Sequence, residues 1–420
     1  MHEIRTTERA ILVSLDLDSE DTDRAAMDEL KELTYTSGAE IVGEFHQRRQ
    51  RPDIAYFLGH GKAEELFAEV NAVDADVVIA NKDLSPTQQR NLEDIVQVRV
   101  IDRTQLILDI FAQRAHTREG KLQVELAQLN YLLPRLTGTG TALSRLGGGI
   151  GTRGPGETKL ESDRQRIRKR IADMKEELEE VRRHRHIQKQ ARRRLPFPTA
   201  ALVGYTSSGK STLLNTLSGS EVLVDRKLFA TLDPTTRRVV LPDGWAVLVT
   251  DTVGFIRDLP HHLIAAFRAT LEEVTEADFL IHVVDAGHPQ MEAHIEAVHH
   301  VLQELNADDK AMVTVFNKSD LVADQYVLRK LVAETPESVY ISALMREGMR
   351  HFMALLSRTL RSLLVRMTLE IPFERSDLVS LCYESGRVLS AEYTTEHILV
   401  QAEVSQDIAG RLRSYARAAD

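Results

Sequence analysis

The feature that most constrains this chain is the octapeptide Gly204-Tyr-Thr-Ser-Ser-Gly-Lys-Ser211, which follows the apolar run Ala200-Ala-Leu-Val203 and precedes Thr212-Leu-Leu-Asn-Thr-Leu217. The apolar run reads as a buried strand and the leucine-rich segment as the opening of a helix, so the octapeptide is the turn between them. Gly204 and Gly209 let the backbone curl until several N–H groups and the helix N-terminus face one point, which makes an anion site. Lys210 adds a mobile cation for the β- and γ-phosphates of a nucleotide. The Ser211 hydroxyl suits Mg²⁺, an ion that keeps most of its waters and takes few protein ligands. A plain Gly-rich turn would need neither the strand before it nor the helix after it. Tyr205, Thr206, Ser207 and Ser208 complete the expected phosphate-binding set.

A second segment, Asn317-Lys-Ser-Asp320, follows another apolar run, Met312-Val-Thr-Val-Phe316. It therefore sits at a strand's carboxyl end, where open α/β sheets bind ligands. Asp320 offers two acceptor oxygens to two donors on a guanine edge, whereas adenine would leave a buried carboxylate partly unpaired. Asn317 is expected to hold the loop and touch the base, and the Lys318 stem to cover its face, with Ser319 between. Alone these four residues are a weak match. Behind a phosphate loop they predict a guanine nucleotide.

Three further segments fit the same site. A strand ending at Asp251-Thr-Val-Gly254 would let Asp251 hold Mg²⁺ through water and the Gly254 N–H meet the γ-phosphate, with Thr252 and Val253 lining the loop. Upstream, Phe229, Ala230, Thr231, Leu232 and Asp233 form a polar, Pro-containing stretch from which Thr231 is chosen as the second Mg²⁺ hydroxyl, with Thr235 and Thr236 as competitors. Downstream, Ser342, Ala343 and Leu344 would lay backbone N–H groups beside the guanine oxygen. Lys210, Thr231 and Gly254 are the expected catalytic contributors. After Gly254 comes Phe255, where GTPases of the Ras type carry a glutamine that orients the attacking water. Slow intrinsic hydrolysis, accelerated by a group from elsewhere, is the expectation.

The rest of the 420-residue chain has ordinary globular composition, 43% apolar and 28% charged, with room for two or three domains. The single cysteine, Cys382, excludes intramolecular disulfides and reads as a core residue. No apolar signal core opens the chain and no run of eighteen apolar residues occurs, so a cytoplasmic protein without a transmembrane segment is expected; weak peripheral membrane association stays open. Histidines such as His261, His262, His299 and His300 lack carboxylate or cysteine partners at metal-ligand spacing. The net charge of −10 would argue against nucleic acid, but Arg164, Arg166, Arg168, Lys169, Arg170, Arg182, Arg183 and Arg185 crowd one segment.

The predicted architecture is α/β. Residues 1–120 alternate strand and helix, as in a small parallel domain. A helical subdomain, 121–195, contains an amphipathic helix stopping at Pro134, a Gly-rich loop over 136–157 and a long mixed-charge, coiled-coil-like helix from Thr158 to Arg194 with a narrow seam of Ile167, Ile171, Met174, Leu178 and Val181. Residues 196–362 form the phosphate-loop domain and 363–420 a small α+β domain. Loops as long as 136–157 are linkers or probes, and its Arg145 and Arg153 favour a probe for phosphate-rich surfaces. With Arg164 and Arg168 they are the expected RNA contacts.

Gly148-Gly-Ile-Gly-Thr-Arg-Gly-Pro-Gly-Glu-Thr-Lys-Leu-Glu161 with Asp163-Arg164, Phe229-Ala-Thr-Leu-Asp-Pro-Thr-Thr-Arg237 and Asp251-Thr-Val-Gly-Phe-Ile256 resemble the signature segments of the HflX family, ribosome-associated GTPases of the Obg-HflX group. The resemblance covers nearly the whole chain and is least diagnostic over the last fifty residues. It implies a GTPase that binds the large ribosomal subunit, splits stalled 70S ribosomes, is stimulated by them and is monomeric elsewhere. Mg²⁺ is the implied cofactor. The family usually reads Asn-Ala where this chain has Ser207-Ser208, and an asparagine there can help coordinate potassium, so K⁺ stays open. The alternative is a nucleotide-switched regulator, or RNA-binding NTPase, acting on a non-ribosomal partner.

Overall fold

The computed structural model describes residues 7–17, 20–136, 155–193, 197–219, 228–257 and 268–417. They divide into two compact units. One comprises Met1–Val181 together with Lys227–Leu232 and Pro260–Phe267, and the other comprises the remaining residues.

The first unit begins with β1 (Arg9–Asp16), α1 (Glu20–Ser37), β2 (Glu40–Arg48), α2 (His60–Val73), β3 (Val77–Ala80), α3 (Pro86–Val96), β4 (Arg99–Asp102) and α4 (Arg103–Arg114). The strands form a parallel sheet in the order β2-β1-β3-β4. β3 is buried along its whole length because a parallel sheet is covered on both faces, which is why it reads as a continuous apolar run. Helix starts follow side-chain chemistry: Ser85 and Gln88 make a reciprocal capping box ahead of Pro86, and Asp102 accepts the Gln105 N–H.

A helical hairpin completes this unit. α5 (Arg118–Leu132) runs into a 3₁₀ turn, Leu133–Arg135, that accommodates Pro134. α6 (Pro155–Arg193) starts three residues before the expected Thr158, since proline fits the first helical turn, where its missing N–H costs nothing. Leu122 packs with Met174 and Leu178, and Arg170 pairs with Glu125 at 3.0 Å. Arg118 reaches Glu177 at 3.5 Å, while Arg164 donates to the Leu136 carbonyl at 2.8 Å, so the two helices run antiparallel. Arg135 lies 3.5 Å over the Tyr131 ring and donates to the buried Asp102 carboxylate, which latches the end of α5 to the sheet. The Gly-rich segment up to Gly154, with Arg145 and Arg153, lies outside the described residues.

Residues 228–232 also belong to the first unit. The Phe229 ring meets Phe111 edge-on, 4.7 Å between centroids, and the Leu228 N–H donates to Thr36 Oγ1 at 3.2 Å.

In the second unit, β5 (Thr199–Val203), α7 (Lys210–Ser218), β6 (Thr235–Val240), β7 (Ala246–Asp251), α8 (Arg268–Glu276), β8 (Phe279–Asp285), α9 (Met291–Glu304), β9 (Met312–Asn317), α10 (Gln325–Glu334), β10 (Ser338–Tyr340) and α11 (Met349–Ser362) follow one another. Six strands align as β10-β9-β8-β5-β7-β6, parallel except for β6. The chain winds to one side of β5 for β6 and β7 and to the other for β8 to β10, which makes the end of β5 a topological switch point. β11 (Leu364–Pro372), α12 (Ser376–Ser385), β12 (Gly386–Tyr393), β13 (His397–Ser405) and α13 (Gln406–Leu412) close the chain, the strands pairing antiparallel in the order β11-β13-β12. β13 alternates buried and half-buried residues, with its buried face on a core that includes Leu369, Ile371 and Cys382. Burial pushes the Cys382 thiol up to about 11, as befits a core residue.

The hairpin seam gives a direct test of packing. Met174 is fully buried. Met174→Ala should cost about 2–4 kcal/mol, read as a lower denaturant midpoint, whereas Arg166→Ala on the exposed face should stay within about 0.5 kcal/mol of the parent.

Candidate nucleotide site

The loop after β5 has the backbone that its sequence demands. Ser207 has φ 60° and Gly209 φ 95°, both left-handed, so the turn doubles back and α7 starts at Lys210. A methyl group on Gly209 would stand 2.3 Å from Asn317 Nδ2, which excludes any other residue there. Ser208 is buried, and among the described residues its hydroxyl has no hydrogen-bond partner. A buried orphan hydroxyl is costly unless something fills the site, and a phosphate oxygen would satisfy it.

Lys210 folds back and donates to the carbonyls of Gly204 and Tyr205 at 3.0 and 2.9 Å. Burial lowers its pKa to about 8, and the nearby Asp251 charge opposes that fall. Ser211 Oγ meets Asp251 Oδ2 at 2.7 Å, so the two expected metal-side oxygens lie together. Thr252 is pinned through its hydroxyl to the Leu202 carbonyl at 2.6 Å, and Val253 is buried beside it. Gly254 lies so close to the loop that a methyl group on it would stand 2.8 Å from Thr206 Cα.

Beyond Gly254 the backbone continues the ladder between β5 and β7. Phe255 donates to Gly204 at 3.0 Å, and its carbonyl accepts the Thr206 N–H at 2.7 Å. The Phe255 ring is 1% exposed. The Tyr205 hydroxyl accepts the Arg257 N–H at 2.9 Å, and its ring stacks on His294 at 3.7 Å, which in turn lies 4.2 Å from His288. Burial, with His288 and Arg257 nearby, drives the His294 pKa to about 3, so this stack is uncharged at neutral pH. The sequence alone gave no signal for this column, because its members are far apart along the chain.

Asn317 joins two loops. Its Nδ2 donates to the Ser208 carbonyl at 2.9 Å and its Oδ1 accepts the Ala343 N–H at 3.0 Å. Ser319 donates from its backbone to Ile341 at 3.0 Å, and Asp320 beside it is exposed. Of the three expected guanine-facing amides, that of Ser342 goes to Glu347 and that of Ala343 to Asn317, which leaves Leu344 N–H. Lys318 pairs with Asp285, a residue the sequence reading passed over although it ends the apolar run of β8 at the sheet's ligand-binding edge. Phe229, Ala230, Thr231 and Leu232 fall in the first unit, and Asp233 in the second. On α6, Arg164 is committed to Leu136, and the exposed Arg168 pairs with Glu161 at 3.2 Å.

Sequence comparison accounts for most of the chain. Residues 24–112 match a family described as GTP-binding GTPase N-terminal, residues 114–192 one described as GTP-binding GTPase Middle Region, and residues 199–318 one described as 50S ribosome-binding GTPase. GTPase HflX of Caldanaerobacter subterraneus is 47% identical over 98% of this chain and 94% of its own length. The chain belongs to the HflX family of GTPases. GTPase HflX of Escherichia coli K12 is 42% identical over 96% of this chain and 94% of its own. A GTP-binding protein from Sulfolobus solfataricus, solved with GDP, covers 84% of this chain at 23% identity with a TM-score of 0.45, and 98% of that protein is matched. Among the described residues no helix is long and apolar enough to cross a membrane.

For this HflX GTPase, Lys210 predicts a pH dependence. Burial lowers its pKa to about 8. A bound polyphosphate favours the ammonium form, so binding takes up a proton above that pH. Affinity for GDP should then hold steady from pH 7 toward 8 and fall on going to 9.5, by up to about tenfold per pH unit. Stability of the empty protein should move the opposite way, rising with pH between about 8 and the ordinary lysine range, because there the unfolded chain binds more protons. Titration calorimetry across the range, beside denaturation of the empty protein, checks both signs.

Proposed function

We propose that this GTPase acts on the ribosome: in its GTP state it binds the large subunit and dissociates stalled or idle 70S particles, and ribosome contact stimulates hydrolysis. The observation that carries this reading is the burial of Phe255. Hydrolysis forms a bond between a water oxygen and the γ-phosphorus, breaks the bond to the bridging oxygen of the departing GDP, and needs the water oriented in line. A phenyl ring that is 1% exposed, on a backbone tied to Gly204 and Thr206, has neither donor nor acceptor for that water. The orienting group has to come from elsewhere than this side chain, and the reading takes it from the ribosome because the family matched by residues 199–318 is described as ribosome-binding.

This chain's own residues supply the rest. Lys210 exchanges its two carbonyl acceptors for phosphate oxygens, Ser208 gives its unpartnered hydroxyl, and the Gly254 N–H faces the γ-phosphate. The Ser211 hydroxyl and the Asp251 carboxylate are hard oxygens in contact, which fits Mg²⁺ held by Ser211 directly and by Asp251 through water. Thr231 is the second hydroxyl for the ion, which when bound neutralises charge on the phosphates. Asp320 takes the guanine edge, Leu344 N–H the guanine oxygen, and Asn317 keeps the two loops together. K⁺ dependence is read from turnover with and without potassium, because Ser207 replaces the usual asparagine.

The antiparallel hairpin of α5 and α6 supports the ribosomal reading. Its two helices are tied where Arg164 donates to the Leu136 carbonyl, and in the sequence the Gly-rich segment with Arg145 and Arg153 lies between Leu136 and Pro155. With Arg168 these arginines suit rRNA phosphates.

Two experiments test the proposal. With a non-hydrolysable GTP analogue the protein should co-sediment with large subunits and shift 70S particles toward free subunits on a sucrose gradient; no shift, with GTP turnover unchanged by ribosomes, would favour a regulator of another partner. Asp320→Asn should lower the preference for GTP over ATP by about tenfold or more. Retained preference would contradict the role given to Asp320.

A further inference from the structure

We propose that Asp285 is a positioning residue for guanine-nucleotide affinity, acting through Lys318. The proposal rests on the reading that the base lies against Asn317, Lys318 and Asp320.

The argument begins with the sheet. β8 is buried from Phe279 to Val284, and at its carboxyl end Asp285 stands beside Asn317 in the parallel register with β9. The Ala286 N–H donates to the Asn317 carbonyl at 2.9 Å, so the backbone fixes the distance between the two loops. The Asp285 side chain is 15% exposed. A carboxylate so placed loses hydration and needs partners. It has two: Oδ1 accepts the Gly287 N–H at 3.0 Å and Oδ2 meets Lys318 Nζ at 2.6 Å.

Lys318 is itself constrained. It adopts φ 60° and ψ 35°, a left-handed backbone that non-glycine residues seldom take, and Asp285 ties down the far end of its side chain. A lysine stem has four rotatable bonds, and freezing them only when a base arrives would subtract from affinity. Held at both ends, the stem has less freedom left to lose when a base packs on it. Among the described residues no other hydrogen bond or ion pair holds the Lys318 side chain, so the carboxylate is the element that turns a flexible cation into a rigid wall for a purine face.

A face contact is blind to the exocyclic amine that distinguishes guanine from hypoxanthine, whereas the Asp320 contact at the base edge is not. Loss of Asp285 should therefore weaken GDP and IDP equally. Asp285→Asn keeps the shape and the Gly287 hydrogen bond but loses the charge pair. It should weaken both nucleotides by about tenfold, equivalent to ~1.4 kcal/mol, with the GDP/IDP ratio unchanged. KM for GTP should rise while kcat at saturation holds. Lys318→Ala should lose at least as much, and the double variant should be no weaker than Lys318→Ala alone.

Binding of fluorescent GDP with competition by IDP, on the full-length wild type and each of the three variants, gives both affinities for every protein. Wild-type affinity in Asp285→Asn overturns the proposal, as does a double variant whose loss is the product of the two single losses. A lowered melting temperature with unchanged nucleotide affinity overturns it too, because that is what a purely structural aspartate would give. A wild-type chain that binds GDP and ADP equally would instead remove the guanine-site reading beneath it.

Discussion

The nucleotide site depends on one buried amide. Asn317 donates to the carbonyl of Ser208 in the loop after β5 and accepts from Ala343 in the loop after β10, so both ends of its side chain are used on backbone groups that would otherwise be unpaired. Aspartate could not donate to Ser208 and leucine could do neither. Because β9 ends at Asn317, the amide is presented by the sheet itself. The neighbouring parts then follow by register: Asp251 ends β7 beside Leu202, and Asp285 ends β8 beside Asn317. Five strand ends, those of β5, β7, β8, β9 and β10, bring their loops to this edge of the sheet, where such folds leave a crevice.

The polar groups of the site are hydrogen-bonded to one another. Lys210 donates to the carbonyls of Gly204 and Tyr205, Ser211 to the carboxylate of Asp251, and Gly254 lies against Thr206. The bonds between Phe255 and the 204–206 segment extend the β5 and β7 ladder by one step. Each of these hydrogen bonds meets a polar group that burial would otherwise leave costly, and a charged ligand could exchange for it. Phe255 takes no part in that exchange through its side chain, which sits in the core.

Much of this was legible in the sequence, and what was not has identifiable causes. The alternation of strand and helix over the first 115 residues, the strand before Gly204 and the helix after Gly209 are local, periodic signals, and the family signatures carried the identity. The start of α6 was read late because Pro155 and Gly156 look like loop until the proline is placed in the first turn. β6 was hidden in a polar stretch, since an edge strand with half-exposed threonines and arginines carries little alternation. The grouping of Phe229 with Phe111 could not be read at all, being a contact across more than a hundred residues between two unremarkable phenylalanines. Asp285 and His294 share that difficulty: their partners, Lys318 and Tyr205, come to them only through the sheet.

The left-handed residues at the site have one more consequence. Ser207 and Lys318 each hold a backbone that disfavours a Cβ, at a cost of about 1–2 kcal/mol apiece. That energy is drawn from the cores of the surrounding sheet during folding. A ligand arriving later meets a loop that is already wound, so its binding energy need not include the work of winding it. The site is thus a place where the protein gives up stability for readiness, and relaxing either residue to glycine would be expected to ease the chain while blunting the shape that the ligand meets.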